Sequence, residues 1–141
     1  MDCLRVLFVS SRCEDAGMLS QMLKPGSIEF DHVSSLQDAR QNLGQGLYRA
    51  VLTEAYLPDG DWKDVLGVTW ELATSPAVVV THRFADDRFW AEVLNLGCYD
   101  MLAQPFDARE VRRILTSACE QSPGKPAELA WPVSKSLRMA S

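Results

Sequence analysis

Apolar and polar positions alternate between two periods along the first 120 or so residues. Leu4-Arg5-Val6-Leu7-Phe8-Val9 is a short, nearly continuous apolar run, the pattern of a strand buried on both faces. From Glu14 to Leu23 the period changes, with Ala16, Leu19 and Leu23 at helical spacing before Lys24-Pro25-Gly26 stops the helix. Ile28 to Val33 alternates as a half-exposed strand does. Ser35 and Asp38 then open a helix whose Leu36, Ala39 and Leu43 face one way, and Gly44 and Gly46 end it. Ala50 to Thr53 is a third strand, leading directly to Glu54. A helix over roughly Trp62 to Ala73 follows, with Gly67 weakening its interior. Ala77 to Thr81 is a fourth buried strand. Asp86 to Leu96 is a helix with Phe89, Val93 and Leu96 on one stripe, closed by Gly97. Tyr99 to Leu102 is a short fifth strand. Asp107 and Glu110 open a last helix with Val111, Ile114, Leu115 and Ala118 inward.

Five strands separated by five helices predict an α/β fold, a doubly wound parallel sheet with helices on both faces, because parallel strands require crossover connections. Ligands of such sheets bind beyond the carboxyl ends of the strands. Ser10, Glu54 and Thr81 each stand at such an end. The 141 residues are enough for one full core. Residues 1–121 read as that domain, and 122–141 as a flexible tail or truncated linker. Ser122-Pro123-Gly124-Lys125-Pro126 cannot continue a helix, and little periodicity follows. A docking role for that segment through Leu129 and Trp131 is the lesser reading.

Composition narrows the function. An apolar fraction of 47% with 23% charged residues suits a folded globular chain rather than a disordered one. The net charge of -5 argues against direct binding to nucleic acid. No apolar run is long enough to span a bilayer and no leader opens the chain, so the expected location is the cytoplasm, without membrane attachment. Cys3, Cys13, Cys98 and Cys119 form no C-x-x-C pair and sit near no histidine. They read as small buried or half-buried apolar residues rather than a metal site or disulfides.

The order Leu-Phe-Val-Ser-Ser, Val-Leu-Thr-Glu…Leu-Pro-Asp-Gly, Val-Val-Val-Thr, Leu-Gly-Cys-Tyr-Asp-Met-Leu and Gln-Pro-Phe-Asp resembles the receiver domains of two-component response regulators. The resemblance covers about Leu4 to Glu120 and implies a flavodoxin-like receiver fold. It also implies where phosphotransfer chemistry would sit, and there the chain departs from the pattern. The aspartate that accepts the phosphoryl group corresponds to Glu54, whose extra methylene moves the carboxylate outward. The acidic pair that helps hold Mg²⁺ corresponds to Ser10 and Ser11, and neutral hydroxyls do not supply the charge that a hard dication favours. The lysine corresponds to Gln104, before Pro105, where the resemblance implies a cis bond. Of the switch pair, Thr81 matches and the aromatic residue is replaced by Met101. Glu14 and Asp15 fall inside the first helix and are expected to face solvent, which leaves one carboxylate in the pocket.

The resulting expectation is a degenerate, pseudo-receiver form with no catalytic residue and no cofactor, its Mg²⁺ site lost. It would be a signalling module that works by protein–protein interaction, independently of phosphorylation. Glu54 reads as a relic rather than a mimic of the phosphorylated state. The resemblance places the output surface on the fourth helix, fifth strand and fifth helix, for a signalling protein or a homodimer. Trp90, Arg88, Arg109, Arg112 and Arg113 are the candidate interface residues there. Trp62 and Trp70, eight residues apart, read as sharing one helix face, with burial the simpler account of both. Two alternatives stand beside this reading. One is an unconventional phosphoacceptor using Glu54 or a neighbour. The other is a small-molecule or nucleotide binder in which Val9-Ser10-Ser11-Arg12 is the phosphate-binding turn.

Overall fold

A computed structural model describes residues 4–24, 28–46, 48–72, 75–83 and 86–121. The expected tail, with Leu129 and Trp131, and Cys3 lie outside the described residues. The elements run β1 (Leu4–Val9), α1 (Cys13–Leu23), β2 (Ile28–Val33), α2 (Leu36–Leu43), β3 (Ala50–Glu54), β4 (Tyr56–Leu57) and β5 (Gly60–Asp61). They continue with α3 (Trp62–Trp70), β6 (Ala77–His82), α4 (Asp87–Asn95), β7 (Asp100–Ala103) and α5 (Ala108–Gln121). Five strands form one parallel sheet in the order β2-β1-β3-β6-β7, the doubly wound sheet the alternation predicts and the flavodoxin-like order the resemblance implies. The fourth and fifth strands expected from the sequence are β6 and β7, because the Leu-Pro-Asp-Gly turn folds into its own antiparallel ribbon, β4 with β5.

The central strands are apolar on both faces because both faces are covered. Val6, Phe8 and Leu52 pack with Leu19, Leu23, Ile114 and Leu115 of α1 and α5. Leu7, Val9 and Val51 pack on the opposite face with α2 and α3. Val78, Val80 and Met101 complete that face with Trp62, Leu66 and Val93. No helix among the described residues is long and apolar enough to cross a membrane.

The β4–β5 turn has a structural purpose. Asp59 accepts from the backbone N–H groups of Leu36 (2.8 Å) and Gln37 (3.1 Å), so its carboxylate caps the free amino end of α2 from another part of the chain. Those backbone bonds hold its carboxyl below the usual value. Gly60 is needed beside it: a Cβ there would lie 2.7 Å from both Asp64 Oδ2 and Leu36 Cδ2. Asp61 then caps α3 in a capping box with Asp64.

Several side chains depart from the sequence reading. The helix expected to run to Ala73 ends at Trp70. Trp62 is buried at 1% exposure, whereas Trp70 is 60% exposed and lies over Gly97, with its Cζ2 3.0 Å from where a Cβ would be. Eight residues turn a helix about 80° past two full turns, enough to carry Trp70 off the buried stripe. Leu96 is exposed, because it follows the last residue of α4 rather than extending its stripe. Cys13 is also exposed, at the first position of α1 and off its buried face. Cys98 and Cys119 are buried as expected, and burial raises their thiols to about 12 and about 11.

Candidate functional site

The carboxyl ends of β1, β3, β6 and β7 bring four of the expected residues together. Ser10 follows β1, Glu54 ends β3, Thr81 lies near the end of β6 opposite Glu54, and Gln104 follows β7. Ser10 Oγ donates to Glu54 Oε2 at 3.2 Å, and Gln104 Nε2 donates to the same oxygen at 3.4 Å. Gln104 Nε2 also reaches Thr81 Oγ1 at 3.2 Å. The glutamine thus bridges the carboxylate and the threonine through one amide group. Thr81 is fully buried, and its hydroxyl proton goes to the Leu102 carbonyl at 2.7 Å, so it is committed to the backbone of β7. The Gln104–Pro105 bond is cis.

Ser10 is tied on three sides. Its Oγ also accepts from the Arg12 backbone N–H (3.0 Å), and its carbonyl accepts from His32 Nε2 (2.8 Å). The two serines at the acidic-pair positions separate here, since Ser10 is buried and Ser11 is exposed. Met101 is buried among Val78, Val80, Val93 and Cys98, a filled position rather than a hinged one.

One residue of the site was expected to face solvent and does not. Asp15 is 7% exposed, and its Oδ2 has no hydrogen-bond partner. Arg12 Nε is 3.5 Å from that oxygen, an ion-pair distance without hydrogen-bond alignment. The signal was present in the sequence: Asp15 is four residues before Leu19, which is four before Leu23, and all three share the buried face of α1. The pocket therefore holds two carboxyl groups. Burial raises the pKa of Glu54 most, the adjacent Asp15 raises it further, and the bonds from Gln104 and Ser10 pull it partly back. Beside the pocket, a cleft of about 450 Å³ opens between α1 and the loop after β7, with Arg12, Glu14, Asp15, Arg83 and Gln104 among its walls.

The candidate interface residues differ in their surroundings. Trp90 is 45% exposed on α4, with Arg88 exposed nearby and Leu94 one turn further on. On α5, Arg109 is exposed, but Arg113 pairs with Glu110 of its own helix (3.1 Å). Arg112 is turned inward and donates to the Met22 carbonyl of α1 at 3.1 Å, so it fastens two helices of one molecule.

No protein-family model matches the sequence, and no curated protein matches it. Solved structures do. A signal receiver domain from Vibrio parahaemolyticus superposes with a TM-score of 0.80 at 20% identity, over 86% of this chain and 93% of that one. The signal receiver domain of an HD domain-containing protein from Pseudomonas fluorescens Pf-5 gives 0.76 at 24% identity, covering 86% and 98%. The NtrC4 receiver domain, solved as a beryllofluoride-activated dimer, gives 0.76 at 20% identity, covering 84% and 98%. The chain has the fold of the response-regulator receiver domains.

Proposed function

We propose that this chain is a receiver-type signalling module that acts by protein–protein interaction and does not accept phosphate through the usual metal-assisted chemistry. One observation carries this reading: among the described residues the Glu54 carboxylate is held by the neutral donors Ser10 and Gln104, the latter at the position of the pattern's lysine. Phosphoryl transfer relies on positioned positive charge to stabilise the transferring group. Arg12, at the edge of this pocket, already pairs with Glu14 and Asp15.

The residues present do not fit a divalent cation. Magnesium takes carboxylate, phosphate and water oxygens in a demanding octahedron. Glu54 Oε2 is occupied by two donors, Asp15 is faced by a guanidinium, and Ser10 uses its hydroxyl on Glu54 and on the Arg12 N–H. Among the described residues no group of three acidic, histidine or cysteine side chains is arranged to hold a metal. Titrating Mg²⁺ into the protein at constant ionic strength is expected to leave Tm unchanged. A saturable rise, the mark of a ligand that binds the native state, would contradict the metal-free reading.

The partner surface belongs to the same proposal. Trp90 and Leu94 form an exposed apolar strip on α4, flanked by Arg88 and Glu92, which suits an interface anchor with a charged rim. The dimer seen for the NtrC4 domain makes a second copy one candidate partner. The small-molecule reading finds less support. Ser10 spends its hydroxyl on Glu54 and the Arg12 N–H, and in the adjacent cleft Arg12 is already paired with Glu14 and Asp15.

A further inference from the structure

Trp70 is the most exposed tryptophan among the described residues, at 60%, yet its ring has a fixed seat. Its Cζ2 comes within 3.0 Å of where a Cβ on Gly97 would stand, so one edge of the indole rests on that glycine and the rest faces outward. Gly97 has a φ of +112°, the left-handed turn that follows α4, and Leu96 just before it is 42% exposed. One turn before Trp70, on the same side of α3, stands Gly67, in a helix interior where glycine costs stability. A Cβ there would meet nothing within 4 Å, so no packing among the described residues asks for the gap. The ends of α3 and α4 thus present an apolar shelf, Trp70 with Leu96, and a notch beside it.

Residues 122–141 hold side chains that match this shelf. Leu129-Ala130-Trp131 puts two large apolar groups together between Pro126 and Pro132, whose fixed φ angles lower the entropy lost on docking. We propose that this segment folds back over the ends of α3 and α4, with Leu129 and Trp131 covering Trp70 and Leu96.

Topology brings the two together. Each crossover helix runs back along the parallel sheet, so α3, α4 and α5 all end at the amino edge of the strands, away from the pocket. α5 and α3 pack on opposite faces of the same strands, β3 and β6. The path from Gln121 to the shelf therefore rounds one edge of the sheet, about two helix diameters or roughly 20 Å. Leu129 is eight residues past Gln121, an extended reach of about 26 Å, and Trp131 is ten, about 33 Å. Charge favours the same placement. α3, α4 and α5 carry no basic residue in their last turns, and exposed Glu71 and Glu120 stand at two of these ends, where the helix dipole is already negative. The segment brings Lys125, Lys135 and Arg138 against Glu128, in a chain of net charge -5, so the folded part is the more acidic partner. The docked segment would also steady α4, the helix that carries the partner strip of Trp90 and Leu94, from its carboxyl end. No group of the pocket takes part, so failure of the docking would leave the reading of Glu54 untouched.

The indole N–H signals of the full chain report the contact in ¹H–¹⁵N NMR spectra of the wild type, Trp70→Ala, Leu96→Ser, Trp90→Ala and Trp131→Ala. Trp70 and Leu96 are exposed, so their replacement leaves the core intact. Trp131→Ala is expected to shift the Trp70 indole and the Gly97 backbone N–H while the buried Trp62 indole stays in place. Trp70→Ala and Leu96→Ser should each shift the Trp131 indole, and all these shifts should be the same after dilution, as befits a contact within one chain. A Trp131 indole indifferent to both shelf variants would overturn the docking. Shifts that vanish on dilution would put a second copy on the shelf, and a Trp131 signal that answers to Trp90→Ala alone would put the segment on the α4 strip. Either of those results would overturn the proposed contact.

Discussion

Ser10→Asp, which restores the residue type that the receiver pattern carries at this position, is expected to destabilise the protein by about 3 kcal/mol or more at neutral pH, the scale of an uncompensated buried charge. Ser10 is fully buried with its Oγ 3.2 Å from Glu54, and Asp15 is buried nearby in the first turn of α1. The substitution removes a donor to Glu54 and places another carboxyl beside it in a buried position. It also changes the group that accepts the Arg12 N–H at the start of α1. Urea denaturation with and without Mg²⁺ measures the effect. The loss is expected to shrink when Mg²⁺ is present, because a third carboxylate supplies the charge the native pocket lacks. A Ser10→Asp protein as stable as the wild type without metal would mean that the pocket is not tuned to its neutral donors.

Trp62→Ala is expected to cost about 3–5 kcal/mol, the range for deleting a large buried aromatic side chain. Trp62 is the largest fully buried side chain among the described residues, and it joins β6, β7 and α4 through Val78, Val80, Met101 and Val93. Its ring meets Phe89 edge to face, with centroids 6.1 Å apart, and its backbone N–H closes onto the Ala55 carbonyl at 3.0 Å. The cavity would open between β6 and α4, so the free-energy loss should appear in urea denaturation together with a looser α4. A loss below about 1 kcal/mol would show that the site collapses around the missing ring, contrary to the packing described.

The fold was legible because its signals are local and redundant. Val6 to Val9 and Val78 to Val80 are too continuously apolar to be half-exposed strands, and each helix carries a stripe at helical spacing. The ends of β1, β3 and β6 could be located from those runs alone, which put Ser10, Glu54 and Thr81 in one place. The pocket's charge was harder to read. Asp15 looked like a solvent residue because acids in a first helical turn favour the amino end of the helix dipole, and Asp15 satisfies that rule while also pointing inward. Only the spacing to Leu19 and Leu23 marks its face. The fate of Arg112 was equally hidden, since its bond to the Met22 carbonyl spans 90 positions of sequence. The purpose of Asp59 required the neighbouring amino end of α2, which no local pattern at Pro58-Asp59-Gly60 reveals.

The most direct test of the account is whether this pocket takes a phosphoryl group. The protein is incubated with acetyl phosphate and Mg²⁺ beside a receiver that carries the usual aspartate, and both are read by intact-protein mass spectrometry. Under conditions that label the control, the mass of this chain is expected to stay unchanged. A stoichiometric phosphate adduct mapping to Glu54 or Asp15 would contradict the central claim and make the pocket an unconventional phosphoacceptor.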